Sequence, residues 1–274
     1  MKRDRKAEGK TIDCVKELVD LVAGREVPEE KQFDAFVHYM ISHSYFFKVE
    51  TVNARHDVIV NWLQRGEKLP ARYMTKSDCY FDSIEGGKIL RLKNKNYAVR
   101  KTHDKTVYYG KGWKCRIPIV IDRDGNKAVR NLIRSASGAV VSQGDKQSNV
   151  RSAVISHLWG NAYNPIFFTN LWNIVIVPAY LNPILDKNEG GEDGYQNRLV
   201  NYVKACYKNL CYDLYRMDEK IKVYERYMPN IRNEFCCIRD VRVVPEIVHY
   251  IEDLGFLAWR NGRSGMKRMR EHCQ

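Results

Sequence analysis

Val154-Ile155-Ser156-His157-Leu158-Trp159-Gly160 is followed by a turn-rich loop, then by Leu171-Trp172-Asn173-Ile174-Val175-Ile176-Val177-Pro178, then by residues 179–187; the fold is decided here. Both apolar runs are short, rich in β-branched residues and bounded by Gly, Pro or Asn, which is how buried strands rather than helices present themselves. Asn164-Pro165 supplies turn chemistry between them. Residues 179–187 suit a short helix containing Asn182. The expected order is a strand ending at His157, a loop, a strand opening at Asn173 and a helix.

Outward from this stretch the texture changes twice. Toward the N-terminus, Ile12, Val15, Leu18, Val19 and Val22 recur at helical spacing with Gly24 where a C-terminal cap belongs. A second helix is expected from about Glu30 to Phe47 and a third over Val58 to Leu63, stopping at Gly66 and Pro70. His38, His43 and His56 have no metal-ligand company there and are read as core or surface histidines. From Met74 the pattern becomes strands and turns. Ile89, Leu90 and Leu92 face Tyr97 and Val99 across Lys93-Asn94-Lys95-Asn96, a hairpin whose basic residues suit either a phosphate backbone or the protection of a sheet edge. A strand over Arg116 to Ile121 runs into Asp122-Arg123-Asp124-Gly125-Asn126. That pattern begins like a calcium loop but has Ile133 where the last acidic ligand would stand, so a turn into a helix at Lys127 to Ser135 is the better account. This helix puts Arg130 and Arg134 one turn apart on one face, as a phosphate contact requires.

Beyond the central stretch, Leu199, Val203, Cys206, Leu210, Leu214 and Ile221 keep helical spacing up to Met228-Pro229. Another helix is expected from Pro245 through Ile247, Val248, Ile251 and Leu254 to Gly255. The tail after Trp259 is basic and is either an arm for nucleic acid or a solvated end. The division that follows is a helical N-terminal region at 1–70, a β-rich region at 71–145 with target recognition as its expected role, and 146–274 carrying the central stretch and the C-terminal helices. The fold class is α+β.

The 274 residues include 46 Lys and Arg against 33 Asp and Glu, a formal charge of +13. Such an excess favours a polyanionic partner, nucleic acid before a membrane surface, through Coulomb attraction and counterion release. No helix shows a basic face opposite a clean apolar one, and the most apolar run, Ile174 to Val177, is too short to span a bilayer, so no membrane partner is expected. The N-terminus MKRDRKAEGK is charged and lacks the apolar stretch of a secretory signal, which points to the cytoplasm. The eight cysteines form no C-x-x-C pair and are read as reduced thiols, Cys236 and Cys237 as a buried structural pair. No G-x-x-x-x-G-K motif is present, which disfavours an ATP-driven motor.

The segment 154–187 resembles the HNH, or ββα-metal, nuclease superfamily, whose pattern is a histidine on the first strand, an asparagine opening the second and a histidine or asparagine on the helix. The matching residues are His157, Asn173 and Asn182, an H-N-N version. The resemblance implies an endonuclease hydrolysing phosphodiester bonds of double-stranded DNA, in a restriction or antiphage setting. His157 would act as general base, because a neutral imidazole with its usual pKa near ~6.5 takes a proton from water at cytosolic pH. Asn173 would fix the loop and orient His157. Asn182, with Asp186 four residues on along the same helical face, would hold Mg²⁺ or Mn²⁺. Lys187 and Arg151, with Arg130 and Arg134, are the expected phosphate contacts. Two departures from the pattern are Ser156, where many relatives have an acidic metal ligand, and asparagine rather than histidine on the helix. The alternatives are a nucleic-acid-binding protein that has lost the metal, an RNA-directed nuclease effector, or a core histidine with two asparagines in turn and cap positions. Cutting both strands of a symmetric site would call for a homodimer.

Overall fold

A computed structural model describes residues 14–73, 79–84, 87–92, 97–101, 106–110, 115–124, 126–142, 149–186, 197, 199–202, 222–229, 231 and 248–251. These residues form an α+β protein. Three helices open it, α1 (Cys14–Ala23), α2 (Glu29–Ser42) and α3 (Val49–Arg65), with a two-residue strand β1 (Tyr45–Phe46) between the last two. Helix α3 begins well before the apolar run that announced it. Its buried stripe is Val52, His56, Ile59 and Leu63, and one of these is a histidine that a count of apolar residues passes over. Gly66 closes α3 in the left-handed region at φ +66°, where glycine carries no Cβ penalty. Helix α2 stops short of Phe47, because Tyr45 pairs with Ile176 in a sheet; period alone does not separate a helix end from a buried strand.

Strands β2 (Leu69–Arg72), β3 (Cys79–Ile84), β4 (Gly87–Leu92), β5 (Tyr97–Lys101), β6 (Thr106–Gly110) and β7 (Ile117–Asp122) make a six-stranded sheet in the order β2-β7-β6-β5-β4-β3. The hairpin expected around Lys93-Asn94-Lys95-Asn96 is the antiparallel pair β4 and β5, with Leu90 opposite Val99; the turn itself lies outside the described residues. Strand β2 joins the sheet parallel to β7, pairing Arg72 with Asp122.

Helix α4 (Lys127–Ser137) follows β7. The Asp122 carboxylate organises that junction, accepting from the backbone N–H of Asp124 at 3.1 Å and of Ala128 at 2.7 Å. Those acidic residues therefore serve a turn that starts a helix, as the missing calcium ligand implied. Short strands β8 (Val141–Ser142) and β9 (Val150–Arg151) pair before the central stretch.

There the order strand, loop, strand, helix is present. Strand β10 (Ala153–His157) pairs antiparallel with β11 (Ile174–Pro178), α5 (Pro165–Phe168) lies in the loop between them, and α6 (Asn182–Asp186) follows. The second sheet runs β10-β11-β1-β12, β12 being His249–Tyr250. The helix expected from Pro245 is corrected at these positions: His249 and Tyr250 pair in parallel with Tyr45 and Phe46. The run 203–221 and the basic tail lie outside the described residues.

One apolar core joins all of this. It holds Phe36 and Ile59 from the N-terminal helices, Tyr108 and Ile119 from the six-stranded sheet, and Phe167, Ile174 and Ile176 from the central stretch. Since β1 and β11 share a sheet, the N-terminal helices and the central stretch meet in space. Among the described residues no helix is long and apolar enough to cross a membrane.

Candidate functional site

His157 ends β10 and Asn173 immediately precedes β11, so the two are brought together by strand pairing. Asn173 is fully buried. Its Oδ1 accepts from the Trp159 N–H at 2.7 Å, and its Nδ2 donates to the Gly160 carbonyl at 3.0 Å and the Phe167 carbonyl at 3.1 Å. One side chain thereby closes both ends of the loop. Inside the loop, Gly160 and Asn161 take positive φ, +59° and +50°, to reverse the chain, and Asn164 caps α5 by accepting from the Ile166 N–H at 2.9 Å. Pro165 occupies the helix start, where it has no N–H to lose. Trp159 and Trp172 meet edge to face at 5.9 Å and serve as packing.

The segment after α5 is held residue by residue. The Phe168 carbonyl faces His157 Nε2 at 3.2 Å, and the Phe168 ring stacks on the imidazole at 5.8 Å. Thr169 is gripped by Arg55 of α3, whose Nε donates to the Thr169 carbonyl at 3.0 Å and whose Nη2 donates to its hydroxyl at 2.8 Å. Arg55 also lies over Trp62 at 4.7 Å. Burial pulls its guanidinium down to about 10, still charged at neutral pH. Asn170 donates to the Tyr224 hydroxyl at 2.8 Å, and that hydroxyl sits 2.8 Å from Nδ1 of the buried His56. His56 is thus a satisfied core histidine.

This scaffold decides the state of His157. A carbonyl can only accept, so Nε2 carries the proton and the lone pair of the neutral ring is left on Nδ1. Burial pushes the imidazole down from 6.5 to about 4; the Phe168 carbonyl opposes this, and the charge of Arg72 adds to it. The ordinary histidine pKa assumed from the sequence is corrected accordingly. The ring is neutral throughout the physiological range, and it is a weaker base than a solvated histidine.

His157 and Asn182 line one cavity of about 1050 Å³. Arg130 and Arg134 of α4 line it from across the space, so four of the residues singled out in the sequence converge. Arg72, at the end of β2, lines it as well and was not foreseen. Its position follows from a backbone bond, the Arg72 N–H donating to the Ala162 carbonyl at 3.2 Å, and from the pairing of β2 with β7, neither of which Leu69-Pro70-Ala71-Arg72 announces. Among the described residues no Asp or Glu lines it. Asn126 also lines the cavity, and its Oδ1 is buried without a hydrogen-bond partner, an acceptor open to a donor on a ligand.

The other expected residues fall elsewhere. Asn173 is outside the lining and holds the loop that leads from His157, the supporting place expected of it. Arg151 is exposed on β9 and is also outside the lining. Asp186 ends α6, but its side chain is outside the described residues, as is all of Lys187. Ser156 is buried and outside the lining, so the position that carries an acidic ligand in many ββα-metal nucleases supplies none here. Among the described residues no three His, Cys, Asp or Glu side chains are grouped to hold a metal ion. The lining does carry amide side chains, Asn182 and Asn126 among them.

By fold and site this is an α+β protein in which a strand–strand–helix unit and an arginine-bearing helix face a common cavity. It belongs to the family described as "Uncharacterised protein PM1201", which matches residues 47–253 and so takes in α3, Arg72, α4 and the whole central stretch. It is similar to "Uncharacterized protein PM1201" of Pasteurella multocida (strain Pm70), with 28% identity over 118 residues, 42% of this chain and 49% of that protein. The chain thus spans about half the length of the curated relative it matches. No solved structure matches it.

Proposed function

We propose that the chain is a metal-dependent endonuclease of the ββα-metal kind that hydrolyses phosphodiester bonds in DNA, with His157 as general base. The observation that carries this is a neutral imidazole, its tautomer set by the Phe168 carbonyl, on the wall of a cavity whose charged lining residues, among those described, are all arginines. A phosphodiester is an anion, and guanidinium groups recognise its oxygens in a planar, bidentate manner. The net charge of +13 draws in the same class of partner.

In this reading Nδ1 of His157 takes a proton from the attacking water as the new P–O bond forms. The P–O bond to the 3′-oxygen then breaks, and that oxygen is protonated from solvent. A base at about 4 is always ready at neutral pH but has a modest driving force. A phosphate entering beside Arg72 offsets the charge that depresses the imidazole, so the base strengthens when substrate binds.

In this reading the Asn182 amide oxygen would hold a divalent cation that keeps most of its water, the anionic oxygens coming from the substrate phosphate. Mg²⁺ or Mn²⁺, when bound, would supply neutralisation of the charge that builds up on the phosphate. The arginines hold the substrate in either case. An arginine-lined cavity, with no carboxylate cluster among the described residues, favours one second reading, an RNA-directed nuclease in which the arginines themselves carry the phosphate charge.

The test is cleavage of supercoiled and linear DNA, and of RNA, with Mg²⁺, with Mn²⁺ and with EDTA. Wild type is compared with equally folded His157→Ala and Asn182→Ala. Metal-dependent DNA fragments lost in both variants support the proposal. RNA cleavage in EDTA that depends on His157 alone supports the second reading, and no cleavage of either polymer overturns both.

A further inference from the structure

Three arginines lining one space, with no Asp or Glu among its described lining residues, is an arrangement that asks for a ligand. Like charges repel, and the usual surface solution is to interleave carboxylates. Here Arg130 donates only to the Asp124 carbonyl, at a long 3.4 Å, and neither Arg72 nor Arg134 has a carboxylate within salt-bridge distance among the described residues. The three do not stand on one element. Arg72 is tied by its backbone to Ala162, in the loop that begins at His157, and its charge reaches the imidazole. Arg130 and Arg134 come from α4, outside the strand–strand–helix unit, on a helix held by Asp122 through the Ala128 N–H. One helical turn sets their Cβ atoms about 6 Å apart, so they act as a pair.

We propose that the cavity divides the phosphates of its substrate: Arg72 holds the phosphate being cut beside His157, while Arg130 and Arg134 hold the next phosphate along the same strand. The inference rests on the nuclease reading for the word "cut", but the division itself concerns binding. It makes α4 a subsite for a second phosphate. The preferred substrate is then an oligonucleotide with at least two consecutive phosphates, and an isolated diester is a poor one.

Two measurements test it on the full chain. The first is the affinity for TpTpT, with two phosphates, against TpT, with one, in wild type, Arg72→Ala and the double variant Arg130→Ala/Arg134→Ala. Wild type is expected to prefer TpTpT by about tenfold or more, the double variant to lose that preference, and Arg72→Ala to weaken both ligands alike. The second is cleavage of an oligonucleotide against bis(p-nitrophenyl) phosphate. The double variant is expected to lose at least about tenfold more kcat/KM on the oligonucleotide than on the small diester. Equal affinity of wild type for the two ligands overturns the subsite, as does a double variant that weakens TpT and TpTpT equally. If wild type cleaves neither substrate while the TpTpT preference and its loss are both seen, the nuclease reading falls and the two-phosphate site stands.

Discussion

On one side of the cavity, His157 is held in a wall built on hydrogen bonds: Asn173 makes three side-chain bonds, Phe168 fixes the imidazole, and Arg55 fixes Thr169. On the other side, Arg130 and Arg134 project from an exposed face of α4, with one long bond to a carbonyl between them. The first wall spends its hydrogen bonds on geometry, because a base must hold one tautomer and one orientation. The second leaves its charge accessible, because recognition of an anion needs donors that are not already engaged. Asn173 and Arg134 were both singled out from the sequence; the first holds the loop from behind the cavity and the second lines it.

The largest effect that would sharpen the contrast is chemical. His157→Ala is expected to lower the rate of cleavage about 10²–10⁴-fold while DNA affinity changes little; a parallel loss of affinity would mean that the two walls do not divide their work. Next comes Asn173→Ala, which strands the Trp159 N–H and the Gly160 and Phe167 carbonyls in a buried loop. Urea unfolding is expected to show a loss of about 3 kcal/mol, and a loss below about 1 kcal/mol would show the loop to be held by packing instead.

The third prediction concerns pH. The folded His157 lies at about 4, below the 6.5 of the unfolded chain, so on acidification the unfolded state takes its proton first. The stability associated with this group is complete above 6.5, falls as pH drops from 6.5 to 4, and changes no further below that. Its share is about 2 kcal/mol between pH 7.5 and pH 5, read as the part of the acid destabilisation that disappears in His157→Gln. Cleavage should correspondingly keep its acid limb near 4 rather than near 6.5. Arg55→Ala is expected to cost about 1–2 kcal/mol in thermal or urea unfolding through two lost bonds to Thr169. The smallest effect belongs to Arg151→Ala, off the cavity, which should change kcat/KM on DNA by less than about twofold; a tenfold loss would extend the binding wall out to β9.

Much of the fold was legible in the residues. β-branched runs bounded by Gly, Pro and Asn announced β10 and β11, and Asp122 with Gly125 announced the turn into α4. The errors lie where local pattern is ambiguous. Phe46 and Phe47 continue an apolar helical period but belong to a strand and its edge, and Val248 and Ile251 keep helical spacing around a strand that exists only because β1 lies beside it. Of the site, His157, Asn182, Arg130 and Arg134 were visible as residue types at telling spacings. Arg72 was not, since no motif surrounds it and its neighbours in the site are distant in the chain.

The sequence by itself determined the strand–strand–helix order, the helix that bears two arginines one turn apart, and the excess of positive charge, all of which follow from local propensity, spacing and composition. The tertiary structure alone decided that α4 and β2 line the same cavity as His157, which groups Asn173 bonds within the loop, and that the imidazole is driven down to about 4. These depend on burial and on carbonyls and charges brought in from far along the chain, and local sequence carries no record of such partners.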